Sequence, residues 1–116
     1  MTLKFEGNVA FKTDGNKIHL GIAKISNTRP ATNTSGTLKI ELITSDYKLE
    51  NVTTLFGFQY HVVACFRLEP LEGGYSYTGI SRYLDKLHTL DKAYEILTLE
   101  EYSDDKWVLR SYMTFD

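Results

Sequence analysis

Thr37-Leu38-Lys39-Ile40-Glu41-Leu42-Ile43-Thr44 is the stretch that decides the fold. Leu38, Ile40 and Leu42 fall on one side and Lys39 and Glu41 on the other. Successive side chains of an extended chain point to opposite faces, so this pattern predicts a β-strand with one packed and one wet face. The same period of two recurs in both directions. Toward the N-terminus, Leu3, Phe5, Gly7, Val9 and Phe11 alternate with Lys4, Glu6, Asn8, Ala10 and Lys12, and Ile18, Leu20 and Ile22 alternate again after Asp14-Gly15. Asp-Gly readily takes the positive φ of a tight hairpin, so these two strands are expected to pair. Ser26 to Ser35 is polar, contains Pro30 and reads as a connection crossing between sheets.

Toward the C-terminus, Phe58, Tyr60, Val62, Ala64, Phe66 and Leu68 alternate with Gln59, His61, Val63, Cys65 and Arg67, until Pro70 and Gly73-Gly74 break the run. Tyr75 to Ile80 predicts a further strand. Ser81 to Leu90 admits two readings, a short helix carrying Tyr83, Leu84, Leu87 and Leu90, or an extended segment. Ala93 to Tyr102 and Lys106 to Phe115 predict a second hairpin about Ser103-Asp104-Asp105, with Trp107, Leu109, Ser111, Met113 and Phe115 on one face of the last strand. About seven strands rich in β-branched and aromatic residues predict an all-β fold, a two-sheet antiparallel β-sandwich of the immunoglobulin-like kind. Residues 1–116 are expected to form one such domain, and a small barrel is the alternative architecture.

The chain has 116 residues, 42% hydrophobic and 24% charged, with a formal net charge of −2. This composition excludes a disordered or low-complexity chain, and the charge excludes a general affinity for nucleic acid or an anionic membrane surface. A single cysteine excludes an internal disulfide framework and a structural zinc site built on thiolates. Met1-Thr2-Leu3-Lys4-Phe5-Glu6 shows no basic region followed by an apolar core, and no apolar run approaches the roughly 20 residues of a membrane-spanning helix. The chain as it stands is therefore expected in the cytoplasm, or outside the cell if it is a fragment of a longer exported protein. Asn33-Thr34-Ser35 and Asn51-Val52-Thr53 match the glycosylation acceptor pattern, which without a secretory signal reads as chance.

Three groups of residues occur in a distinctive order: Ile25-Ser26-Asn27-Thr28-Arg29 with Ser35-Gly36-Thr37-Leu38-Lys39-Ile40-Glu41-Leu42; Gly57-Phe58-Gln59-Tyr60 with Leu71-Glu72-Gly73-Gly74-Tyr75-Ser76-Tyr77; and Leu99-Glu100-Glu101-Tyr102 with Ser111-Tyr112-Met113-Thr114-Phe115. Together they resemble a β-sandwich module of bacterial exported and surface proteins. Its pattern is an Asn-x-Arg loop, a Ser-Gly-Thr-Leu-x-Leu-Glu-Leu strand, a Gly-Tyr strand and a Glu-Tyr hairpin. This chain has Ile43 where the module usually has Trp. The resemblance implies a sandwich fold and carries no catalytic residues. It also places Glu101 in the recurring Glu-Tyr pair, and a buried carboxylate there needs partners. Hydrogen bonds from the Asn27-Thr28-Arg29 loop, or from Arg29 itself, are the expected ones, making Arg29 and Glu101 structural polar residues.

The remaining candidates for chemistry are sparse. His19, His61 and His88 lack metal-ligand spacing and read as partly exposed strand residues, although strands could bring His19 and His61 together. Cys65 shares a face with His61 but lies about 13 Å along the strand, too far for a nucleophile and its base. Glu100, Glu101, Asp104 and Asp105 cluster near a hairpin tip, where a solvated tip competes with a calcium site. No phosphate-binding loop or nucleophile elbow is present. No catalytic residue, metal or cofactor is expected. The chain reads as a non-enzymatic protein-interaction or accessory module with a protein partner, or self-associating through an edge strand. Lys39, Glu41 and Arg67 would blunt such pairing if their strands lie at edges. The alternative is a module for carbohydrate or another small ligand, stacking on Tyr75, Tyr77 or Trp107, with Tyr83 in the same tyrosine-rich region.

Overall fold

The computed structural model describes residues 3–50, 55 and 57–115. Seven strands follow one another: β1 Leu3–Asp14, β2 Lys17–Asn27, β3 Leu38–Ser45, β4 His61–Leu68, β5 Ser76–Asp85, β6 Tyr94–Ser103 and β7 Lys106–Phe115. They form a three-stranded sheet in the order β1-β2-β5 and a four-stranded sheet in the order β4-β3-β6-β7. Every pairing is antiparallel. This is the immunoglobulin-like arrangement with the fourth strand paired to the third rather than to the fifth. Both expected hairpins form. Gly15, at φ 61°, turns β1 into β2, and Asp104 and Asp105, at φ 52° and 64°, turn β6 into β7. Ser81 to Asp85 is extended as part of β5, so the helical reading of Ser81 to Leu90 is set aside. No helix among the described residues is long and apolar enough to cross a membrane. Asn51-Val52-Thr53 lies outside the described residues, as do Met1 and Thr2.

The main core is built where the two sheets face each other. Leu38, Ile40 and Leu42 of β3 meet Ile18, Leu20, Ile22 and Ile25 of β2, all 2% exposed or less. The opposite face of the four-stranded sheet is not simply wet. Ile43, Ile96 and Leu109 bury there under Leu49 and Leu55 from the β3–β4 connection, with Phe58, Tyr60 and Tyr112 packed around them.

In β4 and β7 a register shift moves side chains between faces. In β4 the register shifts opposite Leu42 and Ile43. Val63 and Ala64 consequently both join the main core, whereas Val62 packs outside with Ile43. The strand also starts only at His61, because the hydroxyl of Ser45 donates to the carbonyl of Gln59 at 2.6 Å and holds that residue in the connection. In β7 the register shifts opposite Leu99 and Glu100. Leu109 therefore packs outside and Met113 and Phe115 inside, which corrects the single face expected for the whole strand. In β1 the shift falls between Glu6 and Val9, at Gly7 with φ 74°. Phe5 before the bulge and Val9 and Phe11 after it nonetheless all pack against the main core.

Two loops that cross between the sheets close one end of the sandwich. Asn27 donates its side-chain amide to the carbonyl of Leu71 at 2.7 Å and of Asn33 at 3.2 Å. Leu71 N–H donates to Ser35 Oγ at 2.9 Å, and Ser35 N–H donates to Leu71 O at 3.0 Å. The approach is close enough to demand glycine: a Cβ on Gly73 would stand 1.8 Å from Pro30 O, and one on Gly36 2.0 Å from Tyr102 O. Gly73→Ala and Gly36→Ala are each expected to cost more than about 2 kcal/mol in urea unfolding. Gly21→Ala is the internal control. Its Cβ would meet only Ala10 O, at 4.0 Å, so the change should be neutral or stabilising by a few tenths of a kcal/mol.

Candidate functional site

The buried charges of the four-stranded sheet sort into two groups according to the face they occupy. Glu101, 4% exposed, sits at the end of β6 under the β2–β3 crossover. Arg29 grips it with both terminal nitrogens, Nη1 to Oε2 at 2.9 Å and Nη2 to Oε1 at 2.7 Å. Gly36 N–H donates to Oε2 at 2.8 Å, and Arg110 Nε donates to Oε1 at 2.8 Å. Arg110 reaches inward because it is the residue skipped at the β7 register shift. Burial alone would push the Glu101 carboxyl up. The hydrogen bonds from Arg29, Gly36 and Arg110 outweigh it and hold the group at about 2.

On the other face of the sheet the opposite balance prevails. Glu41 and Glu100, 7% and 6% exposed, lie diagonally across the β3–β6 pairing with Lys39 between them. Lys39 Nζ is 4.0 Å from Glu41 and 3.6 Å from Glu100. Burial pushes the Glu41 carboxyl up to about 7. Lys39 opposes that rise, and the charge and hydrogen bond of Glu100 add to it. One cation faces two carboxyls, and Glu41 is the one that keeps its proton toward neutral pH. Burial, then the charges of Glu41 and Glu100, also raise the neighbouring Tyr60 hydroxyl.

Beside this pair, Trp107 lies half-buried over the sheet. Lys39 Nζ is 4.4 Å from its ring centroid and Arg67 Cζ 5.1 Å. Tyr102, 44% exposed, meets the ring edge-on at 5.2 Å. Thr37, Arg67, Tyr102 and Trp107 line a shallow hollow of about 250 Å³.

The other sequence candidates scatter. Tyr75, 62% exposed, precedes β5, and Tyr77 packs on the main core while donating its hydroxyl to Glu69 O at 2.8 Å. Both belong to the three-stranded side, so they share no ring platform with Trp107. Tyr83 stacks on His19 at 4.5 Å, and His61 stacks on His88 at 4.1 Å. His19 and His61 are thus held apart on different sheets. Cys65 is exposed on β4. The four carboxylates near the hairpin tip do not act as a cluster, because Glu100 engages Lys39, Glu101 engages the arginines, and Asp104 and Asp105 form the turn. Among the described residues, no group of three or more His, Cys, Asp or Glu side chains could hold a metal ion. Lys39 and Glu41 stand on β3, which is an interior strand, so they blunt no edge; Arg67 is on the edge strand β4. The reading of the sequence missed Arg110 and the Glu41–Glu100 pair. The charges of Lys39 and Glu41 were visible, but their partners depend on cross-strand register. No known protein family, characterised protein or solved structure matches the chain.

Opposite pH dependences follow from the two groups. Glu101 is depressed below the ordinary 4.5, so its stabilisation is complete above that value and is lost as pH falls toward 2. Glu41 is raised, so the unfolded chain gives up this proton first, and stability falls as pH rises from 4.5 to about 7. Each effect is on the order of 3 kcal/mol. Urea unfolding across pH should show Glu41→Gln removing the loss above 4.5. Glu101→Gln should cost roughly 3–5 kcal/mol at neutral pH and flatten the acid limb. Trp107 is the single tryptophan of the chain. Its emission should titrate near pH 7 through Lys39, and Glu41→Gln should abolish that step.

Proposed function

We propose that this protein is a non-enzymatic interaction module that engages a protein partner through the outer face of its four-stranded sheet, centred on Trp107. The observation that carries this reading is the preassembled trio of Trp107, Tyr102 and Arg67 around one open hollow. These three residue types dominate the energetics of protein interfaces. Packed on one another before contact, they lose little side-chain freedom on binding. The buried titratable groups support a non-catalytic role: Glu101 is committed to two arginines, and Glu41 and Glu100 are buried with Lys39 rather than converging on the hollow. The carbohydrate reading finds less support. Sugar stacking needs a free ring face, whereas Lys39 and Arg67 both lie over Trp107.

Selection of a random-peptide display library on the immobilised protein, alongside a glycan array, tests the proposal. Peptides should be enriched that bind the wild type and lose at least tenfold in affinity to Trp107→Ala, a change of about 1.4 kcal/mol, while the circular dichroism and melting of the variant stay unchanged. Failure of any peptide to enrich, or enrichment indifferent to Trp107→Ala, rejects the reading. Glycan binding abolished by Trp107→Ala would replace it with the carbohydrate alternative.

A further inference from the structure

We infer that the segment recognised at this hollow carries a carboxylate, which Arg67 pairs, next to an apolar side chain seated against Trp107 and Tyr102. The inference rests on the interaction reading above and specifies the chemistry of the partner. Of the four arginines in the chain, three have their donors engaged. Arg29 and Arg110 hold Glu101, and Arg82 donates to Ser81 O at 3.2 Å. Arg67 is exposed, and among the described residues its side chain makes no hydrogen bond or ion pair; its guanidinium lies over the Trp107 ring. A guanidinium resting on an aromatic ring is held in place, while its N–H donors stay directed outward in a planar fork. That fork matches the two oxygens of a carboxylate.

Lys39 does not compete for this role, because Glu41 and Glu100 already occupy it. The same two buried carboxyls set the charge the hollow accepts. Glu100 pairs with Lys39 and burial raises Glu41 to about 7, so the surroundings add little net charge and the hollow offers one uncompensated cation, Arg67, which suits a single carboxylate better than a doubly charged phosphate. Spacing fixes the arrangement. Side chains at alternate positions of an extended peptide lie about 6–7 Å apart on one face, and Arg67 and Trp107 adjoin on this surface. An acidic residue two positions from a leucine or an aromatic residue therefore reaches both.

Sequencing the enriched peptides provides the first readout, and Asp or Glu should recur two positions from a large apolar residue. The second readout uses the tightest such peptide as a synthetic probe together with its Asn or Gln counterpart, both titrated against Trp107 emission. The acidic peptide should bind the wild type at least tenfold tighter than its amide. That ratio should collapse toward one in Arg67→Gln, be partly retained in Arg67→Lys, and shrink with added salt. Enriched peptides lacking a carboxylate, or an acid-to-amide ratio unchanged by Arg67→Gln, overturn this inference while leaving the interaction reading standing. Preference for a phosphorylated peptide over the carboxylate one also overturns it. Absence of any enriched peptide rejects both.

Discussion

One carboxylate receives four hydrogen bonds from three parts of the chain. Glu101 of β6 takes both terminal nitrogens of Arg29, the N–H of Gly36 and the Nε of Arg110. A sandwich whose chain crosses repeatedly between sheets must hold each crossing in place, and a polar loop such as Ser26 to Ser35 has no apolar side of its own to dock. Glu101 substitutes for that missing core. From it the contacts extend to Asn27 and Ser35, and through their bonds to Leu71 into the next crossing loop. Gly36 and Gly73 lie where backbone meets backbone. Replacing a buried ion pair by apolar residues is often neutral or stabilising. Energy alone therefore does not account for this one. What an apolar cluster lacks is direction, and a planar fork meeting a planar carboxylate fixes where the loop runs.

The four-stranded sheet is buried on both faces, and this decides what surface remains. Ile43 and Ile96 lie under Leu49 and Leu55 at one end of the outer face, and Glu41 and Glu100 lie beside them. A carboxyl in such surroundings is costly when charged and cheap when protonated, and burial accordingly raises Glu41. Glu101, a single residue further along β6 than Glu100, stays ionised because its neighbours are guanidinium groups. Glu41 and Glu101 shift in opposite directions because the two faces of the sheet are different environments. Beyond the carboxyl pair the outer face opens at Trp107.

Much of this was legible in the chain. The Thr37 to Thr44 alternation reads directly as β3, and the turns at Asp14-Gly15 and Ser103-Asp104-Asp105 read as hairpins. Arg29 and Glu101 could be named together because their setting follows a motif rather than a period. The facing of β4 and β7 was not legible. Within Val62-Val63-Ala64 every residue suits a core, so periodicity cannot say which one is skipped, and Arg110 looks like any outward strand arginine until the register shift turns it inward. The Glu41–Glu100 pair was hidden for the same reason, since it joins residues 59 positions apart through a register that hydrophobicity does not specify.

The edges bear on how a partner would approach. β1 is bulged at Gly7 and carries Lys4, Glu6, Lys12 and Asp14, which oppose an added strand. The edge of β4 is already used, since Leu87 N–H donates to Val63 O at 2.7 Å. β7 carries only Lys106 and Arg110, but β1 lies beside it, with Phe5 N–H reaching Ser111 Oγ at 3.4 Å and Phe11 meeting Phe115 edge-on. β5 carries a left-handed residue at Gly79, with φ 59°. Each edge is thus occupied or irregular, and strand addition would first have to displace something. The Trp107 hollow lies on a face and displaces nothing, which makes side-chain docking the less costly mode of recognition for this sandwich.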